Sequence, residues 1–308
     1  MKHTRERTYD FVGLGYGGMD TYCVLPRIPV DDKVQIQSMF RQGGGPASTA
    51  TVAAARLGLR TALVSATGDD ADGQEILRQL TVEGIDTRFV QIQPGTSSPV
   101  AYCWIDATTG SRSIAWSLGT VAYLEAGDID PTGFADTHVL HLDSHHPAAA
   151  VRAAEAVHAT GGTVFLDAGT CNERTCGLLP YCDVVIASEP FARDLIGRDK
   201  PTAAIRCLHE RGAKWAGVTL GRQGSMVSDG KEIITLPIHP VSPIVDTTGA
   251  GDVYHGAFAT RYVEFLKSGQ PPELRECMRF ATVVAGLKCR ELGGRTAIPT
   301  RAEVDVLS

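Results

Sequence analysis

The amino-acid sequence predicts an α/β protein: a doubly wound, mainly parallel sheet flanked by helices, with a small β-sheet beside it. From residue 138 onward, short apolar runs alternate with helical stretches, the pattern of parallel strands joined by crossover helices. Two earlier stretches, 33–41 and 100–116, alternate residue by residue, as half-exposed strands do. Near the C-terminus the glycine-rich segment 246–251 runs straight into apolar residues at Val253, Ala257, Phe258, Tyr262 and Phe265, which is helical spacing.

Taken in order, Phe11 to Gly15 reads as a buried strand end. Gly13, Gly15 and Gly18 fit the dinucleotide pattern G-x-G-x-x-G, but that pattern needs a helix next. Met19 to Val30 contains Pro26 and Pro29 and no helical period, so the chain is expected to stay extended. Lys33 to Arg41 is a strand, and Val100–Ile105 with Arg112–Trp116 a hairpin turning through Thr108, Thr109 and Gly110. Between them lie a helix over 48–57, a strand over 62–65 and a helix over 73–83. Strands are then expected at 139–142, 163–166, 184–186 and 216–219, and helices at 147–159, 190–196, 203–211 and 273–290. In such sheets ligands bind beyond the C-terminal strand ends. Asp20, Asp143, Asp167, Glu189 and Thr219 are each expected there.

With 308 residues the chain can bury a large core, and its 43% hydrophobic and 21% charged composition is that of an ordinary globular protein. A net charge of −6 argues against a nucleic-acid partner. No apolar run is long enough to cross a bilayer, and the polar Met1–Arg7 segment reads as no signal peptide, so a cytoplasmic location is expected. The eight cysteines fit no zinc spacing and are expected to be reduced.

The chemistry concentrates at 246–252. Gly249, Ala250 and Gly251 offer backbone N–H groups at a helix start, where the first donors lack partners and the dipole is positive. That place suits a phosphate. Asp252 at the same turn reads either as an N-terminal charge or as a base taking a hydroxyl proton. Together these supply positioning, charge stabilisation and one proton acceptor, which phosphoryl transfer requires. A carboxylate of ordinary pKa suffices for that role, because the hydroxyl becomes acidic only as the transition state forms. The absence of G-x-x-x-x-G-K-[ST] excludes P-loop kinases.

Asp246-Thr247-Thr248-Gly249-Ala250-Gly251-Asp252 resembles the C-terminal signature of the ribokinase-like (PfkB-type) carbohydrate kinases. Gly43-Gly44-Gly45-Pro46-Ala47-Ser48-Thr49-Ala50, followed by Ala53–Gly58, resembles the family's N-terminal sugar-binding signature. The resemblance implies a single ribokinase-like kinase domain over 1–308, with lid strands from about 33–42 and 98–118 inserted in the α/β core. It implies an ATP- and Mg²⁺-dependent kinase acting on a primary hydroxyl of a small sugar, with a ketose as one candidate. A nucleoside kinase of the same family and a catalytically silent sugar- or nucleotide-binding regulator are the alternatives.

By the same resemblance, Asp252 is the base and residues 249–251 the anion hole. Asp20, Gly44, Gly45 and Thr49 contact the sugar, with Thr49 standing where most members carry Asn. Thr219, Gly221 and Gly224 line the nucleotide site, and Glu189 organises Mg²⁺ through water, although Ala187 replaces the usual Asn two positions earlier. Arg112 and Asp143 match ketohexokinase residues near the sugar; His145 and His146 beside it read as rim residues. The sulfofructose kinase branch is also similar, and Lys33 matches its sulfonate-binding lysine. Trp116 and Ser144 occupy the other two places, so the sulfosugar is not carried over. Family members often hold K⁺ beside the anion hole. Asp246 and Thr248 match one half of that site, while Ala297 stands for a serine of the other half, so weak, unselective K⁺ activation is expected. Apolar lid faces imply a homodimer through the lid sheets.

Overall fold

The computed structural model describes residues 6–109 and 111–306; Met1–Arg5 of the polar N-terminus and Gly110 of the hairpin turn lie outside them. The strands are β1 (Tyr9–Leu14), β2 (Gly18–Leu25), β3 (Ser38–Gly44), β4 (Thr61–Gly68), β5 (Val90–Gln93), β6 (Val100–Asp106), β7 (Arg112–Ser117), β8 (Thr137–Leu142), β9 (Thr163–Ala168), β10 (Val184–Ser188), β11 (Trp215–Thr219), β12 (Ser225–Ser228) and β13 (Ile233–Leu236). The helices are α1 (Pro46–Arg56), α2 (Ala71–Val82), α3 (Pro147–Ala159), α4 (Glu173–Leu178), α5 (Glu189–Ile196), α6 (Pro201–Glu210), α7 (Ala250–Lys267), α8 (Leu274–Lys288) and α9 (Arg301–Asp305).

The large sheet has the order β13-β12-β11-β10-β9-β8-β1-β4-β5. Its strands run parallel except at the β12–β13 edge, which pairs antiparallel. Period two explains how it is doubly wound. Val12 and Leu14 of β1 pack into one core with Ala149, Ala153 and Val157 of α3, Phe191 of α5 and Ile205 of α6. Phe11 on the opposite face joins Ala50 and Ala54 of α1, Val253 and Phe258 of α7 and Val284 of α8 in a second core. Strands buried on both faces read as unbroken apolar runs, which is why their positions are legible in the sequence.

The small sheet has the order β3-β2-β6-β7. Its register places Asp20 beside Ala101, and Ala101 beside Trp116, in one cross-strand row. Tyr22, Phe40, Cys103 and Ile114 share that face, since directly paired residues project to the same side. Thr21, Cys23, Met39, Tyr102 and Trp104 form the other face.

Three expectations change here. Residues 33–37 are not strand: the small-sheet strand begins at Ser38, because Val34 and Ile36 find no pairing partner. Asp20 does not follow β1 as a loop residue but lies within β2, in the small sheet. The β12–β13 hairpin, with only four residues in each strand, carries too short a pattern to register as strand in the sequence.

Candidate active site

The start of α7 is built by a glycine. Gly249 caps the helix with φ 75°, a left-handed conformation that L-residues with a Cβ adopt only at a cost. A Cβ there would also stand 2.8 Å from the Gly294 carbonyl oxygen. The turn delivers Asp252 into the first turn of α7. Ala250 N–H donates back to Thr247 O at 3.2 Å, so of the three N–H groups expected to form an anion hole this one is spent within the turn.

Asp252 and Gly251 line a cavity of about 330 Å³. Its other walls come from the C-terminal ends of the parallel strands: Asp143, Ser144 and His145 after β8, Asp167 and Gly169 at β9, Ser188 at β10 and Thr219 at β11. The doubly wound sheet places ligands at this edge. One turn along α7, His255 Nε2 lies 3.3 Å from Asp167 Oδ1, and both are buried.

Asp143, Asp167 and Asp252 line the cavity, Asp20 lies outside its lining, and burial shifts their acidities. Burial pushes Asp252 up to about 7, and the Asp167 charge adds to the effect; His255 opposes it, while Asp143 and Asp20 reinforce it. The expectation of an ordinary carboxylate is thereby corrected. Burial also raises Asp167, but its His255 partner outweighs that and holds it below the usual range. Asp20 rises to about 6 through burial, opposed by the Arg295 charge. Asp143 also rises to about 6 through burial. Its carboxylate accepts from Tyr16 N (2.7 Å), Ala47 N (3.1 Å) and His145 N (2.9 Å). Asp143 thus ties the β1–β2 turn to the start of α1.

The N-terminal signature is packed against Asp20. A Cβ on Gly44 would fall 2.1 Å from an Asp20 carboxylate oxygen, so the carboxylate occupies space that only glycine leaves open. Gly45, with φ 96°, turns the chain into α1. Thr49 departs from expectation. It is buried, and its hydroxyl accepts from Arg295 Nε at 3.2 Å, so it faces the protein rather than a ligand. Arg295, also buried, donates further to Gly44 O and Ser48 Oγ. Lys33 is another departure. It is exposed in the loop before β3 and does not line the cavity. Trp116 is exposed at the edge of the small sheet, and Ser144 Oγ bonds Thr175 Oγ1 at 2.9 Å.

Arg112, at the start of β7, reaches across to the core: Nη1 lies 3.1 Å from Thr247 Oγ1 and 3.4 Å from Asp246 Oδ1. Thr219 Oγ1 donates to Ala187 O, and Gly221 and Gly224 form the tight turn that follows, with φ 54° and 94°. Glu189 opens α5 next to Ser188, whose hydroxyl caps that helix. His145 lines the cavity as a rim residue, whereas His146 is buried and accepts from Leu124 N.

The segment expected to hold a monovalent cation is tied to several protein groups. Asp246 Oδ1 accepts from Thr248 N (2.8 Å) and Thr248 Oγ1 (2.7 Å), and Oδ2 from Gly293 N (2.9 Å). Its carbonyl oxygen accepts from Lys288 Nζ at 2.9 Å. Thr248 meets Asp246 as a donor, and a positive charge, the Lys288 ammonium, already stands at the Asp246 carbonyl oxygen.

Sequence reasoning missed His255, Arg174, Arg295 and Lys288. His255 was within reach, because it follows Asp252 at i+3 and therefore shares its helix face. Arg174, which lines the cavity, sits on the short helix α4 that no periodicity marks.

A profile described as pfkB family carbohydrate kinase matches residues 14–301. The chain is 27% identical to the nucleoside kinase of Methanothermobacter thermautotrophicus, covering 96% of this chain and 94% of that protein. It is 28% identical to the ribokinase of Haemophilus influenzae, over 92% of this chain and 96% of the other. Arabidopsis thaliana ribokinase complexed with ribose and ATP superposes with a TM-score of 0.84 at 26% identity, covering 97% of this chain and 98% of that one.

Proposed function

This chain belongs to the pfkB family of carbohydrate kinases, a ribokinase-like sugar or nucleoside kinase, and from that premise we propose that it transfers the γ-phosphoryl group of ATP to a primary hydroxyl of a small sugar. The observation that carries this reading is the position of Asp252. It stands in the first turn of α7, behind the Gly249 turn, at the wall of a cavity that collects the ends of four parallel strands.

The acceptor hydroxyl would give its proton to Asp252 while its oxygen bonds to the γ-phosphorus. The bond from that phosphorus to the bridging oxygen breaks, and ADP leaves. An Asp252 pKa of about 7 suits a base working near neutrality. The N–H groups of Gly249 and Gly251 at the start of α7 would meet the charge that develops on the phosphoryl oxygens. Asp20, carried by the small sheet, would accept hydrogen bonds from the sugar hydroxyls, with Gly44 and Gly45 giving it room. Thr219, Gly221 and Gly224 would border the nucleotide.

Mg²⁺ fits this site as a hydrated ion. Among the described residues no three His, Cys, Asp or Glu side chains form a ligand cage, whereas Glu189, next in sequence to the cavity-lining Ser188, would supply one carboxylate. Mg²⁺ that keeps several waters and binds mainly to nucleotide phosphates needs no more from the protein; bound there, it would neutralise phosphate charge.

The row Asp20–Ala101–Trp116 favours a second reading. An aromatic ring two strands from the sugar-binding carboxylate offers a stacking surface that suits a nucleobase as well as a sugar face. We further propose a cytoplasmic location and a homodimer through the lid sheets. The outer face carrying Met39, Tyr102 and Trp104 is the exposed surface a second copy would cover. No helix of the described residues is long and apolar enough to cross a membrane.

The test is ADP release from Mg-ATP with a panel of aldoses, ketoses and nucleosides. Turnover on a sugar supports the first reading and on a nucleoside the second. No turnover on either class would favour the silent regulator.

A further inference from the structure

We infer that Lys288 is a built-in monovalent cation, holding the phosphate loop in place and making the enzyme independent of K⁺. The inference deepens the kinase reading above and rests on it.

Lys288 is the last residue of α8 and is fully buried. A buried ammonium is expensive unless charges and acceptors surround it. Lys288 Nζ finds the carbonyl oxygen of Asp246 at 2.9 Å. Around it, Val245 N (2.8 Å) and Asp246 N (3.2 Å) both donate to Cys289 O, so the segment entering the phosphate loop is clamped across the C-terminal end of α8. That helix end carries partial negative charge, which favours a cation.

Three residues downstream of Asp246 lies Gly249, the cap of α7. Asp246 itself fixes the turn through Thr248 and fixes the opposite strap through Gly293 N. Gly294 of that strap packs against Gly249. Lys288 therefore grips, at a single backbone oxygen, the residue from which both walls of the anion site hang. A K⁺ in this place would stand against the same carbonyl oxygen, where the ammonium already supplies a positive charge. The disagreement with the expected K⁺ site thus lies in an occupant, not in a missing ligand. Ala297 matters less than Lys288, because the charge a serine would help to bind is already supplied. Lys288 is a positioning residue: it touches the loop backbone and acts through it.

The test compares wild type with Lys288→Met, which keeps an unbranched stem of similar bulk and removes the charge. Mg-ATP binding is measured by calorimetry in KCl, NaCl and choline chloride at fixed ionic strength, with thermal unfolding of the ligand-free proteins in the same three salts. Wild type is expected to show one Kd, within twofold, and one Tm in all three. In choline, Lys288→Met is expected to bind Mg-ATP at least tenfold more weakly. KCl should recover most of that loss and raise its Tm, and NaCl should do less. The inference is overturned if K⁺ tightens wild-type binding or raises wild-type Tm selectively. Wild-type affinity of folded Lys288→Met in choline would also overturn it, as would a loss that no cation restores. Absence of Mg-ATP binding by wild type would refute the kinase reading alone. The unfolding arm would still decide the inference, because K⁺-selective stabilisation of Lys288→Met, absent in wild type, is its direct signature; where Lys288→Met does not fold in any salt, selective stabilisation of wild type by K⁺ remains the refuting result.

Discussion

Asp252 sits among carboxylates, and that placement makes its ionisation costly. If Asp252 must be deprotonated to accept the hydroxyl proton, kcat/KM should follow its ionisation in the free enzyme. With a pKa of about 7, roughly half the enzyme is competent at pH 7 and about a tenth at pH 6, a fall of about fivefold, then tenfold per unit below that. Asp252→Asn should lower kcat by about two to four orders of magnitude and abolish this acid limb. The same substitution should stabilise the fold. The folded-state pKa lies above the unfolded value near 3.8, so the folded protein binds the extra proton between those pH values. Ionising Asp252 thus costs stability progressively as pH rises from about 4 to 7. The Asn variant escapes that cost, so its gain in Tm should be absent at pH 4, grow through neutrality and level off above about pH 7.5. Steady-state ADP release from pH 5.5 to 8.5 and thermal unfolding over pH 4 to 8 read both limbs. A variant with most of wild-type kcat, or a Tm gain that shrinks as pH rises, would refute the reasoning.

Other perturbations separate scaffold from chemistry. Gly249→Ala should cost about 1–2 kcal/mol from the left-handed φ alone, lower Tm by a few degrees and reduce kcat at least tenfold by displacing the Gly294 strap; melting curves and kcat on one sample measure both. Arg112→Ala should change stability by less than about 0.5 kcal/mol, since the pair with Asp246 is partly exposed. Its acceptor KM should nevertheless rise several-fold as the small sheet loses its tie to the phosphate loop, and a KM against kcat comparison tests this. Arg295→Met should destabilise by about 3 kcal/mol, because Thr49, Ser48 and the Gly44 carbonyl lose a buried charged donor; urea unfolding reads it. Light scattering should give twice the 32.8 kDa chain mass, and Trp104→Asp should return the monomer.

The parallel core was legible because its strands are buried on both faces and its helices keep strict spacing. The helix over 147–159 begins and ends where its pattern does. The start of α7 was equally legible, since glycines and an acid in seven residues leave few structural alternatives. What could not be read depends on partners far along the chain. Thr49 looks like a ligand contact until Arg295, 246 residues away, takes its hydroxyl. Lys288 looks like an ordinary basic residue at a helix end until Asp246, 42 residues before it, supplies the acceptor. Alternation over 33–41 predicted a half-exposed strand, but only Val34 and Phe40 are partly covered and the strand pairing begins at Ser38.

The large sheet ends in short strands. β5 at one border and β13 at the other each have four residues, against five to eight for the strands between β12 and β5. A four-residue border exposes few unpaired N–H and C=O groups and gives a foreign strand little to grip. The small sheet is bordered differently: β3 has seven residues and β7 six, every one of the six exposed. Any strand-to-strand recruitment by this protein is therefore directed away from the core sheet and toward the small sheet, whose strand β2 carries Asp20.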